Sequence, residues 1–467
     1  MEVIKKFKRL IIPLIFISLF FPKIGLGENN GTINAYWLGE APWSPKETEN
    51  SIKSILLDND RSRDDKSPRW VPDNRRMVVY KRERKAKISE VSDIKEDRVE
   101  DSELSDIDED IAKIAGISNI PNDKTESPEL CYIDEDGEIT SLYEGEVKDI
   151  SWIQDKEKVR FIFTSGNDLK SGEISTDNHI SSLLSIEKKV TNEGIVYLRH
   201  SRTKKLFYSR DGRIIGTSTN IDDNGWSPIV NTNGDCSRNK KVVFTSNLDS
   251  NGREIYTFEL PQEGEDLDLS IIRRLTFSPE GVISPKWSPD GKSIVYASGK
   301  DIYLIQNIST SGMNPIRLTT NTTTDECSNP TFSPDGKMIA YYSTNGKNIY
   351  DLWVMKSNGE ERTKVADNVL KPERHGDIYG PCWIPYGTSA LIYLYNRMQN
   401  QIEVLNVTAN SRKMVKTEEQ LISNIDSLYV SDKDGQKILI VYSAWAPYPQ
   451  KEQRIYIKEF KAEELPR

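Results

Sequence analysis

The sequence predicts an all-β fold, a β-propeller of seven four-stranded blades in a range of six to eight, its ring closed by an N-terminal strand. Three observations predict it. One phrase built on Ser-Pro and an aromatic residue recurs along the chain, a Pro-Asp-Gly turn follows its best copies, and the intervals between copies are the size of one blade.

The phrase is clearest at Ser284-Pro285-Lys286-Trp287-Ser288-Pro289-Asp290-Gly291-Lys292, which leads into Ile294-Val295-Tyr296. It returns at Asn329-Pro330-Thr331-Phe332-Ser333-Pro334-Asp335-Gly336-Lys337, ahead of Ile339-Ala340-Tyr341-Tyr342. An earlier copy runs from Ser67 through Trp70 to Asn74, before Met77-Val78-Val79-Tyr80. Weaker copies lie at Trp152, Pro228, Trp383 and Leu428.

Each copy has a mechanical meaning. Proline presets φ near −65° at the second turn position, aspartate caps its own backbone, and glycine accepts positive φ. Such a turn between an apolar residue and a β-branched or aromatic run is a hairpin signal. Third strands follow at Glu254–Phe258, Asp301–Ile305 and Asp351–Met355, and short turns at Asn358-Gly359 and Asp211-Gly212 introduce fourth ones.

The spacing sets the count. Trp287 to Phe332 is 45 residues, Phe332 to Trp383 is 51, and Trp383 to Leu428 is 45. Trp70 to Trp152 spans 82 and Trp152 to Val230 spans 78, so each holds an insertion or a further unit, and residues 165–217 parse ambiguously. The last unit ends on Arg454-Ile455-Tyr456-Ile457-Lys458 without a fourth strand. The alternating stretch Thr32–Trp37 can fill that gap and cover two sheet edges.

Outside the ring the chain divides into a signal peptide over 1–27, a segment over 28–66 that supplies the closing strand, and the propeller over 67–467. Lys5, Lys6, Lys8 and Arg9 precede an apolar run from Leu10 to Phe21, which is too short for a hydrocarbon core of about 30 Å. Cleavage near Gly25-Leu26-Gly27 places the chain in the periplasm or outside the cell; an uncleaved anchor is the alternative. Loss of 1–27 takes five basic residues and one acidic residue from a net charge of −9, leaving about −13. Such acidity excludes nucleic acid as a partner. Residues 90–110 hold eleven Asp/Glu against two Lys/Arg, and 90–126 reads as a disordered, solvated insertion in the first blade.

The repeat resembles the TolB-type, WD-like β-propeller repeat of exported bacterial proteins. The resemblance rests on the two Pro-Asp-Gly-Lys copies and on Val242-Val243-Phe244-Thr245-Ser246-Asn247-Leu248-Asp249-Ser250-Asn251-Gly252-Arg253-Glu254-Ile255-Tyr256, and it covers about 220–390. It implies a binding scaffold for a protein or peptide in the cell envelope; the mature chain itself reads as a monomer with no apolar run long enough to span a membrane.

The search for chemistry returns mostly absences. No GxSxG, HExxH, GxxxxGK[ST] or GxGxxG occurs, and the chain ends at Arg467 directly after the last repeat, where a propeller-gated peptidase would carry a hydrolase domain. His179, His200 and His375 have no metal-ligand spacing, so no metal site is assigned. Cys131, Cys236, Cys327 and Cys382 form no CxxC; export would allow Cys327 to pair with Cys382, while small buried thiols are the alternative. Asn247–Gly252 starts like a calcium loop but has Phe258 where a bidentate Glu belongs, so it reads as a turn.

An acidic residue precedes most first strands: Asp65, Asp149, Glu280, Asp325, Glu326, Asp377 and Asp426. Converging at the channel mouth, these would form an anionic ring for Ca²⁺ or a basic segment; solvated, scattered carboxylates are the alternative. His375-Gly376-Asp377-Ile378-Tyr379 reads as a binding loop. The expected binding residues are therefore Asp149, Glu280, Asp325, Glu326, His375, Asp377 and Tyr379. No cofactor is called for apart from that Ca²⁺. The favoured function is a non-catalytic exported scaffold for a protein, peptide or glycan, and the alternative is a lyase or hydrolase using carboxylates and a cation.

Overall fold

The computed structural model describes residues 35–36, 63–71, 78–84, 128–133, 139–154, 159–174, 179–201, 203–210, 213–217, 227–228, 231–236, 240–249, 252–262, 265, 267–308, 314–320, 326–344, 349–369, 381–385, 390–395, 398–416, 420–432, 435–445 and 453–464. Asn34–Arg467 form one compact unit, and Met1–Ile33 form another that lies outside the described residues. The signal segment, the acidic insertion and the anchor at Val230 likewise lie outside them.

The described strands form six sheets, and these are the blades of a β-propeller. Blade 1 runs through Arg63–Trp70, Val78–Arg84, Glu129–Ile133 and Ile139–Glu144. Blade 2 is Lys148–Gln154, Val159–Ser165, Asp168–Ile174 and His179–Ser182. Blade 3 has nine strands: Asn231–Cys236, Lys241–Ser246, Glu254–Glu259 and Arg273–Arg274 are joined edge to edge by four strands within residues 186–216, and Ser227–Pro228, just before the inner strand in sequence, pairs at the other end of that run. Blade 4 covers residues 283–317, and blade 5 holds eight strands within residues 326–416. In blade 6 the strands Gln420–Asp432, Gly435–Trp445 and Gln453–Lys461 are completed by Ala35–Tyr36, which pairs with Lys458 and Ile457. The N-terminal strand thus closes the ring.

Six blades fall within the range of six to eight, one fewer than the seven drawn from the anchors. Trp383 accounts for the difference. Its run joins that of Phe332 through the single pair Val369↔Tyr395, so two four-stranded runs make one sheet, and they share a core of Tyr342, Leu352, Trp383 and Leu391. Blade 3 explains the ambiguity over 165–217. The four strands within residues 186–216 meet Arg273–Arg274 edge to edge at Arg213↔Arg273, so they join the sheet of blade 3 and form no separate one.

The hairpins follow from local chemistry. Ser288 Oγ donates to Asp290 Oδ1 at 2.6 Å, Lys292 N donates to the same oxygen at 3.1 Å, and Ser293 N donates to Ser288 Oγ at 2.9 Å. Gly291 takes φ 68°, the left-handed region that a Cβ would resist. Ser333, Asp335, Lys337 and Met338 repeat these bonds, with Gly336 at φ 72°. Before each turn the inner strand bulges, shifting register at Ser284 (φ 52°) and at Asn329 (φ 51°).

Neighbouring blades bury their faces against each other. Trp70 and Tyr80 of blade 1 share a core with Leu428, Val441 and Ile455 of blade 6. Val243 and Ile255 of blade 3 pack with Trp287 and Tyr296 of blade 4, and Val295 of blade 4 with Cys327 and Tyr341 of blade 5. Each of these side chains is at most 8% exposed. Full burial of one such residue is worth about 1.5–3 kcal/mol.

Candidate functional site

Of the seven residues expected at the channel mouth, only Glu280 and Glu326 have described side chains. Asp149 falls in the inner strand Lys148–Gln154, with its side chain outside the described residues, as are Asp325, His375, Asp377 and Tyr379 entirely. Glu326 is exposed at the start of the inner strand of blade 5, opposite Thr344. Glu280 is also exposed, and its carboxylate fills the space over Gly299, where an added Cβ would lie 1.7 Å from Oε2. Arg317, on the last strand of blade 4, has its pKa raised chiefly by its bond to Asp301, with a smaller contribution from the Glu280 charge. Among the described residues no group of His, Cys, Asp and Glu has the arrangement of a metal site.

Two described acidic groups of the inner strands, Asp426 and Asp235, hold neighbouring blades together. Asp426 Oδ2 accepts from the backbone N–H of Trp70 at 2.9 Å, Oδ1 accepts from Ser427 N at 2.9 Å, and Arg69 stands 3.8 Å away. Asp235 repeats this clasp between blades 3 and 4. Its Oδ2 accepts from Trp287 N at 2.8 Å, its Oδ1 accepts from Ser151 Oγ of blade 2 at 2.9 Å, and Lys286 Nζ stands at 3.7 Å. One carboxylate thereby ties three blades. Burial raises the pKa of Asp426, and Arg69 and the two amides pull the other way. Cys382, beside it, is pushed up to about 12 by burial and by the Asp426 charge, so it stays a protonated thiol. Cys131, Cys327 and Cys382 are free, so Cys327 and Cys382 do not pair.

A second buried network lies farther out. Glu254, at the start of the third strand of blade 3, accepts from Arg274 Nη2 at 2.9 Å, from Ser278 N at 2.9 Å and from the Thr276 hydroxyl. Thr276 Oγ1 in turn accepts from Ile255 N at 2.9 Å. Asp301 of blade 4 repeats the arrangement with Arg317 and with Thr319, whose Oγ1 accepts from Ile302 N at 2.9 Å. The sequence carried a signal for this device, since Arg274-Leu275-Thr276 recurs as Arg317-Leu318-Thr319. Asp249, in the segment that starts like a calcium loop, accepts from Ser209 Oγ at 2.6 Å, from Arg274 Nη1 at 3.2 Å and from the Tyr256 hydroxyl. It therefore anchors the outer strands of blade 3, as a structural turn does.

Those outer strands supply the site that sequence reasoning missed. A cleft of about 610 Å³ lies between residues 200–217 and the turn Leu267–Ser270. Phe207, Leu267 and Leu269 give it an apolar floor, and His200, Thr203, Lys205 and Asp268 give it polar walls. Thr203 N donates to His200 Nδ1 at 3.3 Å, which leaves the proton of a neutral ring on Nε2. Asp268 Oδ1 accepts from Ser270 N at 2.9 Å and caps the short 3₁₀ turn Leu269–Ile271. The volume falls within the range of small-molecule sites, and the mixture suits a polar ligand with a carbon skeleton. The signal was weak, because the strands at 196–216 and the turn at 267–270 are distant in sequence and share no motif.

The arrangement of blades defines the chain as a β-propeller protein. Residues 227–387 match the TolB beta propeller domain family, so the repeat over that stretch is similar to the TolB type. Among solved structures, TolB from Acinetobacter baumannii is 17% identical at a TM-score of 0.37, over 64% of this chain and 61% of that one. The chain thus spans less than two thirds of that protein. An oligogalacturonate lyase in complex with manganese is 9% identical at a TM-score of 0.49, over 93% of this chain and 98% of that one. A Mycobacterium tuberculosis puromycin-hydrolyzing peptidase is 12% identical at 0.39, over 66% and 52%. At such identities no ligand or reaction is transferred. No curated protein sequence matches the chain.

Proposed function

We propose that this chain is an exported, non-catalytic propeller that binds a protein, peptide or glycan of the cell envelope. The carrying observation is how its polar groups are used. Asp235, Asp426, Asp249, Glu254 and Asp301 each accept two or more hydrogen bonds, from backbone amides, hydroxyls or guanidinium groups. A carboxylate held in this way braces the fold and is poorly placed to shuttle protons. The cleft instead gathers His200, Lys205 and Asp268 over Phe207 and Leu269, which is the composition of a recognition site. The basic and apolar N-terminal pattern supports export to the periplasm or beyond.

The test is capture from an envelope extract on the immobilised chain, followed by calorimetry with the purified ligand. Lys205→Glu is expected to weaken binding at least tenfold with the melting temperature unchanged. Chemical turnover of a captured peptide or glycan, with or without added divalent cation, would replace the scaffold by an enzyme.

A further inference from the structure

The strands of blade 3 within residues 186–216 are cationic in an acidic chain. Residues 186–217 hold eight Lys/Arg against three Asp/Glu, a net charge of +5 in a chain of net charge −9. Strand alternation sorts their side chains into two faces. Ile186, Leu198, Phe207 and Ile214 are buried in the core shared by blades 2 and 3, while Lys188 and Ser209 on the same side bond Asn247 and Asp249. The opposite face follows from the register. Lys189, Tyr197, Tyr208 and Ile215 form one row across the four strands, and Arg210 pairs with Arg213 in the next. Arg210 and Arg213 are exposed, Ile215 is 39% exposed, and Ile195 at the hairpin end is 36% exposed. The Tyr197 and Tyr208 rings lie 6.4 Å apart on this face.

We propose that this outward face docks on an anionic phospholipid membrane. Three features of the face meet three layers of such a surface. Arginine and lysine meet the phosphates. Tyrosine, with an apolar ring and a polar tip, suits the headgroup boundary. Exposed isoleucines gain free energy only by leaving water, which acyl chains allow and a soluble polyanion does not. The binding is reversible and adds no membrane span. It goes beyond the proposed scaffold role, because the cleft can keep or lose its ligand independently of this face.

The experiment is sedimentation of the full chain with vesicles of phosphatidylglycerol mixed with phosphatidylcholine, against phosphatidylcholine alone. Binding is expected only with the anionic lipid, weakening as salt is raised. Neutralising both arginines (Arg210→Gln with Arg213→Gln) should lower the partition coefficient about thirtyfold, and Lys337→Gln with Lys356→Gln, elsewhere on the ring, should leave it unchanged. Ile195→Ser with Ile215→Ser should also weaken vesicle binding. Equal binding to both lipids would overturn the proposal. So would an isoleucine pair without effect beside an arginine pair that matters, because that pattern marks a surface for a soluble polyanion such as an acidic polysaccharide. Should the arginine variant melt early, the salt titration on the unaltered chain and the isoleucine pair decide the question. Failure here leaves calorimetry at the cleft untouched.

Discussion

Replacing Asp426 by alanine should loosen the ring at its closure. The substitution strands the Trp70 and Ser427 amides, which now donate to this carboxylate at 2.9 Å each. Hydrogen bonds to a charged group are worth about 1.5–3 kcal/mol apiece. Relief of the buried charge offsets part of this, leaving a destabilisation of about 2–3 kcal/mol. For a chain of this size the unfolding entropy is about 0.9 kcal/mol per degree, so the midpoint should fall by about 2–3 °C. Calorimetry and urea unfolding at pH 7 are the assays. Asp426→Asn keeps an acceptor and should cost less than alanine. Burial also raises the Asp426 pKa, so its stabilisation is fullest below the ordinary carboxyl pKa of about 4 and declines as pH rises through its folded value. The non-titrating Asn variant should therefore gain on the wild type as pH rises. An alanine variant within about 0.5 kcal/mol of wild type would refute the clasp, since that is the scatter of ordinary surface substitutions.

Further outcomes follow from the same structure. Glu254→Ala leaves Arg274 and the Ser278 amide without their acceptor in a buried network, and should cost about 3–5 kcal/mol by calorimetry. Asp290 has its pKa lowered, chiefly by the Ser288 hydroxyl bond, so the stability gap between wild type and Asp290→Ala should be present above about pH 4 and close in acid. Gly172→Ala places a Cβ 2.4 Å from Phe161 Cζ and 2.5 Å from Ile180 Cδ1, and should destabilise by about 1–3 kcal/mol in urea unfolding. With its pKa pushed up to about 12, native Cys382 should resist a maleimide at pH 7 until the chain is unfolded; rapid modification, read by mass spectrometry, would show that the thiol is not shielded as described.

What the sequence revealed was local. The Pro-Asp-Gly turns are legible because every hydrogen bond that makes them lies within five residues, from Ser288 to Ser293 and from Ser333 to Met338. The completing strand was legible because Thr32–Trp37 alternates and the last unit lacked a partner. The blade count was harder, because Val369↔Tyr395 is one backbone pair and leaves no pattern in side-chain type. The clasps escaped notice for a similar reason. Asp235 and Trp287 stand 52 residues apart, and no local rule relates an aspartate in one blade to an amide in the next. The Arg-Leu-Thr repeat was readable but small, at three residues per copy. The cleft was out of reach, since two distant segments with no shared motif line it.

The edge-to-edge continuation of blade 3 shows how such a fold can acquire an appendage cheaply. Strands added at a sheet edge need a free amide row to pair with, and here they also seat Ile186, Leu198, Phe207 and Ile214 in the core of the neighbouring blades. Material spliced in there can carry its own surface character, as the cationic strands do. Removal of residues 186–216 should accordingly uncover Leu169, Phe244 and Tyr256, and so unsettle blades 2 and 3 before the opposite side of the ring.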